Sequence, residues 1–354
     1  MVLSCKNKIS NAPKSANTSL SFQPSPGTFI YCNNPEQLFT TDLGDNSSEF
    51  GNHYLLWSLV SGTCYAYYEH ENMTGLTIGY GLQIYNPNEH PVTVEVTNVG
   101  FSNNAFDCWT QFYSNKSGES GSIGFFTIQP GEVLWIQRND NKISPGAIFN
   151  GAAAFNVSGD KVYVFHYAYH NFNNIDGTAS YLGYITRTDP NGQTEAMVYK
   201  GTAEGFVQAS LFNINISSII SQTITWQTHA CPGNDMVTIT CPLTDTSNPT
   251  YTTFTCSNED NLGNWGIRYH YTLTINNDTS RKKTISFVIA QPYFISNVYV
   301  WVTNSGKGCT INKTNWKFCE FTLLPKAKMT VSYEVVLSGS SYGGLINSII
   351  ATLS

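Results

Sequence analysis

Two stretches of strict two-residue alternation, far apart in the chain, limit what it can become. In the first, Ile78, Tyr80, Leu82 and Ile84 fall on one side, with Gly79, Gly81 and Gln83 on the other. After the break Asn86-Pro87-Asn88-Glu89-His90-Pro91 the pattern resumes, with Val92, Val94 and Val96 set against Thr93, Glu95 and Thr97. Such alternation is a strand with one buried face, and two runs joined by a short Asn/Pro-rich break predict a β-hairpin. The second stretch repeats the design with Ile267, Tyr269, Tyr271, Leu273 and Ile275, a turn at Asn276-Asn277-Asp278-Thr279-Ser280, then Ile285, Phe287 and Ile289. The echo continues downstream, where Phe126-Thr127-Ile128-Gln129-Pro130 matches Phe321-Thr322-Leu323-Leu324-Pro325. One β-sandwich architecture used twice is the expectation.

Strand-like runs recur at regular spacing between Gly/Asn/Pro turns, and helical periodicity is nowhere sustained. An all-β chain of two tandem jelly-roll-like sandwiches follows. Residues 1–26, rich in Ser, Asn, Lys and Pro, read as a flexible arm. The breaker Asp189-Pro190-Asn191-Gly192 divides the rest into sandwiches over 27–192 and 193–354. Asp107 to Tyr113 reads as one of the strands. Within the arm only Ser19-Leu20-Ser21-Phe22 alternates, so Leu20 and Phe22 are candidates for strand addition to a sheet edge, in the same molecule or another.

Composition narrows the function classes. Aromatics make up 14% of the chain and charged residues only 12%, the opposite of a disordered chain. A surface covered by Asn, Ser, Thr, Gly and Tyr does little to repel a neighbouring copy, which suits a homo-oligomer or polymer. The net charge is −6 with no basic stripe, which argues against nucleic acid. Arg281-Lys282-Lys283 is the one basic cluster and reads as a solvated turn. No apolar run is long enough to span a membrane, and no signal-peptide segment follows Met1, which leaves the export route open.

Cysteine spacing contains no C-x-x-C pair, so a zinc ribbon is not expected. Cys241 with Cys256, and Cys309 with Cys319, each bracket a short stretch that suits a local disulfide. The count is nine, so one thiol is left over, and Cys5 on the arm is the candidate for an inter-chain bond.

Chemistry-bearing residues are few. His166 and His170 have the spacing of a zincin pair, but on a strand four residues span roughly 13 Å and cannot share one metal. His70 is the imidazole that could join either. Glu69 and Glu71 share a strand face about 6–7 Å apart, near the separation of glycosidase carboxylates, although strand-end carboxylates are commonly just solvated. Asn139-Asp140-Asn141 and Asn173 to Gly177 read as turns rather than calcium loops. No catalytic, metal or cofactor residue is therefore expected. Sequons such as Asn72, Asn156 and Asn277 are as frequent as chance allows in this composition, and no glycosylation is inferred. Trp109, Trp265 and Trp316 lie near strand ends and are candidates for stacking on a glycan, whereas Trp57, Trp135, Trp226 and Trp301 read as core.

Tyr67-Tyr68-Glu69-His70-Glu71-Asn72 followed by Gly81-Leu82-Gln83-Ile84-Tyr85-Asn86-Pro87, together with Asn264-Trp265-Gly266-Ile267-Arg268-Tyr269, resembles secreted bacterial surface β-sandwich proteins often found beside copper-amine-oxidase-like stalk domains. The resemblance implies an extracellular, β-rich, non-catalytic part. The expectation is a non-enzymatic cell-surface protein that self-assembles, as a filament or layer, by arm strand addition and a Cys5 disulfide. A pair of carbohydrate-binding adhesion modules and a double jelly-roll viral coat protein are the alternatives.

Overall fold

The computed structural model describes residues 2–8, 15–45, 53–103, 108–114, 121–171, 180–182, 200–205, 207–228, 237–239, 259–261, 265–291, 297–311, 314–338 and 344–354. They form an all-β, sandwich-type fold, as the alternation predicts. The first strands are β1 (Val2–Lys8), β2 (Gln23–Pro24), β3 (Thr28–Cys32), β4 (Gln37–Leu38), β5 (His53–Tyr54), β6 (Leu56–Asn72), β7 (Ile78–Tyr85) and β8 (Val92–Ser102). Next come β9 (Gly124–Ile128), β10 (Val133–Ile143), β11 (Ile148–Tyr169), β12 (Ser180–Tyr181), β13 (Lys200–Glu204), β14 (Val207–Ile216), β15 (Gln222–Thr228), β16 (Val237–Ile239) and β17 (Glu259–Asn261). The chain closes with β18 (Arg268–Asn277), β19 (Lys283–Ala290), β20 (Val298–Val302), β21 (Lys307–Ile311), β22 (Asn315–Leu323), β23 (Lys328–Leu337) and β24 (Leu345–Leu353).

A helix, α1 (Cys108–Ser114), stands where the sequence pattern predicts a strand. Its buried residues Cys108, Trp109 and Phe112 fall at helical rather than alternating spacing. Trp109 stacks on Tyr65 and Tyr67, so the helix lids a ring ladder that begins with Phe29 and Tyr31 on β3.

The chain forms two compact units. One comprises 26–205 and 238–261, the other 1–25, 206–237 and 262–354. They are called the first and second sandwich below. The first sandwich runs on to Gly205, past the Asp189–Gly192 breaker, which lies outside the described residues. The arm belongs to the second sandwich although residues 26–205 of the first sandwich separate them in sequence.

The two alternating stretches are strands, but neither is a hairpin. β7 pairs with β10 and the far half of β11, while β8 pairs with β9 and the near half of β11. Likewise β18 lies in a six-stranded sheet, order β2-β14-β18-β23-β20-β21, and β19 in a five-stranded one, order β1-β22-β19-β24-β15. Each break is therefore an arch that carries the chain from one set of partners to another. Alternation records only that one face is buried; it does not record which strand supplies the hydrogen bonds.

A buried asparagine organises each arch. Asn86 Nδ2 donates to the carbonyls of His90 and Ile128, both at 2.9 Å, and its Oδ1 accepts from Asn88 N at 3.0 Å. Asn277 Nδ2 donates to Arg281 O at 2.8 Å, Leu323 O at 3.2 Å and Leu324 O at 2.9 Å. Its Oδ1 accepts from Thr279 N at 3.2 Å and Thr279 Oγ1 at 2.7 Å. A third corner has the same wiring. Asn72 Nδ2 donates to Leu76 O at 2.7 Å and Ile143 O at 3.0 Å, and Thr74 supplies N and Oγ1 to its Oδ1. The backbone of each asparagine clamps a facing Pro-containing turn: Asn86 at Gly131 and Glu132, Asn277 at Lys326 and Ala327, Asn72 at Gly146 and Ala147. The Phe126–Pro130 and Phe321–Pro325 echo is the sequence trace of this shared corner. Asn72 and Asn277 each sit in a sequon because the Thr two residues on completes the corner.

Gly131 and Gly146 hold φ of 74° and 73° in these turns, and a Cβ at either would meet nothing within 4 Å. Replacing Gly146 by alanine is therefore expected to cost only the left-handed backbone penalty, about 1 kcal/mol, read as a lower urea midpoint at unchanged m-value.

Candidate functional site

The arm wraps the second sandwich along three sheet edges. β1 pairs antiparallel with β22, from Val2 opposite Glu320 to Lys8 opposite Trp316, with a register shift between Leu3 and Asn7 where Cys5 falls. At the opposite edge of the same sheet, Asn17 N and Thr18 N donate to Thr225 O at 3.0 and 2.9 Å. Thr225 answers through N to Asn17 Oδ1 at 2.8 Å and through Oγ1 to Ser15 O at 2.9 Å. β2 then pairs with β14 at the edge of the six-stranded sheet. Phe22, just before β2, sets its ring edge-on to Tyr269 at 5.2 Å and Tyr271 at 6.0 Å. Leu20 and Phe22 are both half-buried on their own chain. Without the arm, β22, β15 and β14 would each present a row of unpaired backbone groups.

A buried polar cluster lies in the core of the first sandwich. His70 Nδ1 is 2.7 Å from the Pro35 carbonyl, which can only accept, so Nδ1 carries the proton and Nε2 accepts. Tyr80 O–H therefore donates to His70 Nε2 at 3.2 Å. The same hydroxyl oxygen accepts from His166 Nδ1 at 3.0 Å, and a hydrogen bond also joins the Tyr80 hydroxyl and the Cys32 thiol. His166 Nε2 is thereby a bare acceptor, with no partner among the described residues. Every member is neutral. Burial drives the His70 imidazole down to about 3 and His166 well below its ordinary range. It pushes the Cys32 thiol up to about 11 and Tyr80 well above a normal phenol. Lys200, opposite Cys32 in the β3–β13 ladder, is lowered to about 7 by burial, against the opposing pull of Cys32 and Asp42.

This arrangement joins His70 to His166, one of the two pairings the sequence allowed, through a tyrosine that carried no signal of its own. Among the described residues no three His, Cys, Asp or Glu side chains are placed to hold a metal ion. All five groups are at most 1% exposed.

The other sequence candidates separate. Trp109 and Trp265 are buried and cannot stack on a sugar; Trp316 is half-buried in β22. Glu69 is buried rather than a solvated strand-end carboxylate, and accepts from Tyr67 Oη at 2.7 Å. His170 stands apart from the cluster, with Nδ1 3.1 Å from Thr77 O. Asp140 is engaged by Arg138 and Tyr169. Cys319 carries a free buried thiol, so the expected Cys309–Cys319 bond is not made; Cys241 and Cys256 lie outside the described residues. A surface cleft of about 500 Å³ beside Gly62 is lined by Thr28, Thr63, Thr202, Lys161 and Glu204 among others, with no aromatic ring in its wall.

No family model matches the chain, and no curated protein does. Among solved structures it is similar to Lac15 from a marine microbial metagenome at 9% identity and a TM-score of 0.15, over 95% of this chain and 64% of that one. The CUB1-EGF-CUB2 domain of human MASP-1/3 matches at 10% identity and a TM-score of 0.17, over 81% of this chain and 99% of that one. A blue copper oxidase from Nitrosomonas europaea matches at 9% identity and a TM-score of 0.12, over 91% and 84%. The chain thus spans less than two thirds of Lac15, and superpositions this loose carry no function across.

Proposed function

We propose that this chain is a non-enzymatic extracellular surface protein that assembles with copies of itself by exchanging its arm. The observation that carries the reading is the arm's connectivity. It completes three edges of the second sandwich, yet reaches that sandwich covalently only through the first one. The same bonds can be made to another copy at little cost, because exchange replaces identical contacts. Strand addition satisfies edge backbone groups, and Phe22 supplies the side-chain anchor. Cys5 travels with the arm and would lock the exchanged contact as an inter-chain disulfide. The test is light scattering across a concentration series after brief partial denaturation, beside a chain lacking residues 1–25 and Phe22→Ala. Concentration-dependent oligomers that the truncation abolishes and Phe22→Ala weakens are expected. A monomer at every concentration, or oligomers indifferent to the truncation, would sink the idea.

A further inference from the structure

The Asn277 corner departs from its two sisters in what it shows to solvent. Gln129 and Ser144 in the sister turns are replaced here by Leu324, which is 60% exposed. Where the sisters have glycine, this turn has Lys326 at φ 61°. Lys326 Nζ donates to the Asp278 carbonyl of the facing arch, which keeps its cationic end at the exposed tip of the turn. Beside it, the loop between β14 and β15 raises Ile219 and Ile220, 61% and 71% exposed. Lys283 Nζ fastens that loop by donating to both carbonyls, at 2.7 and 3.2 Å. Arg281, Lys282, Lys326 and Lys328 are exposed around these tips. With Lys283 they are five of the 18 Lys and Arg in a chain of net charge −6.

We infer that this end of the second sandwich docks on an anionic lipid bilayer, with Ile219, Ile220 and Leu324 entering the acyl boundary and Arg281, Lys282 and Lys326 contacting headgroup phosphates. Exposed apolar tips among four exposed cations, against the one exposed carboxylate of Asp278 in the same turn, match an interface that is apolar below and anionic above. A second copy docked here would face the same like charges. Nucleic acid would leave the apolar tips in water. The arm bonds β14 at Gln208 and Ala209 and β15 at Thr223 and Thr225, none of them a docking residue, so this inference stands or falls apart from the exchange reading.

The experiment is co-sedimentation of the full chain with vesicles of phosphatidylcholine plus phosphatidylserine, against phosphatidylcholine alone, at low and high salt. Binding to the mixed vesicles that weakens with salt is expected. Loss of about tenfold or more is expected for Arg281→Gln with Lys282→Gln, and for Ile220→Ser with Leu324→Gln, with melting temperature unchanged. Lys326→Gly, which copies the sister turn, should weaken binding while keeping the fold. The inference is overturned if wild type ignores the mixed vesicles, binds both kinds equally, or is unaffected by these variants. Retention on heparin or a phosphopeptide without vesicle binding overturns it too.

Discussion

Asn277→Asp is expected to destabilise the second sandwich by about 3–5 kcal/mol, because the change removes donors that three carbonyls share and puts an oxygen in their place. Ionised, the new carboxylate would be a buried anion facing those carbonyls. Protonated, it could donate to one of them at most. The Thr279 donors would be kept, so the loss isolates the amide. At roughly 2–4 °C per kcal/mol for a domain of this size, the melting transition should fall by about 6–20 °C. Asn86→Asp and Asn72→Asp should do the same to the first sandwich. Asn156→Asp, in a half-exposed sequon that ends in Ser158 rather than Thr, should stay within about 0.5 kcal/mol. A shift at Asn277 no larger than the one at Asn156 would refute the corner as a keystone.

The strands and their duplication were legible in the sequence because burial of one sheet face writes a period of two into the chain. The Phe126–Pro130 and Phe321–Pro325 echo was legible for the same reason, as a strand and turn held under two identical asparagines. Which strands pair was not legible. An arch and a hairpin bury the same face, and only the amide geometry of Asn86 and Asn277 separates them. The third corner escaped because Ile143-Ser144-Pro145-Gly146 shares little with the other two beyond its Pro turn; Asn72 with Thr74 was visible only as a sequon. The arm's Ser/Asn/Lys/Pro content suggested freedom, since composition says nothing of edges that distant strands leave open. Trp109 was misplaced with its helix: a seven-residue helix has too few turns to impose a period. His70 and His166 come together through Tyr80, one more apolar-side residue of an alternating run.

Acid should unfold the first sandwich before carboxylate protonation dominates, and the cause is the neutral pair His70 and His166. His70 is held at about 3 against an ordinary 6.5, and His166 is lowered in the same direction. Between those limits the unfolded chain binds protons that the folded chain refuses, so stability falls as pH drops through that window and is undiminished above it. The limiting slope is about 1.4 kcal/mol per pH unit for each imidazole. Lys200 adds a second, higher window. Its amine is lowered from 10.5 to about 7, so stability should rise again as pH climbs between those values. The groups facing the pair reinforce the effect: an imidazolium at either histidine would stand beside Lys200, and the Pro35 carbonyl at His70 only partly offsets the burial. Urea midpoints measured from mildly acidic to alkaline pH test this. Wild type should lose midpoint steeply below neutrality, whereas His70→Gln with His166→Leu, though weaker throughout, should show a much flatter acid limb. Equal slopes in the two proteins would place the protons elsewhere and remove the cluster from the account of stability.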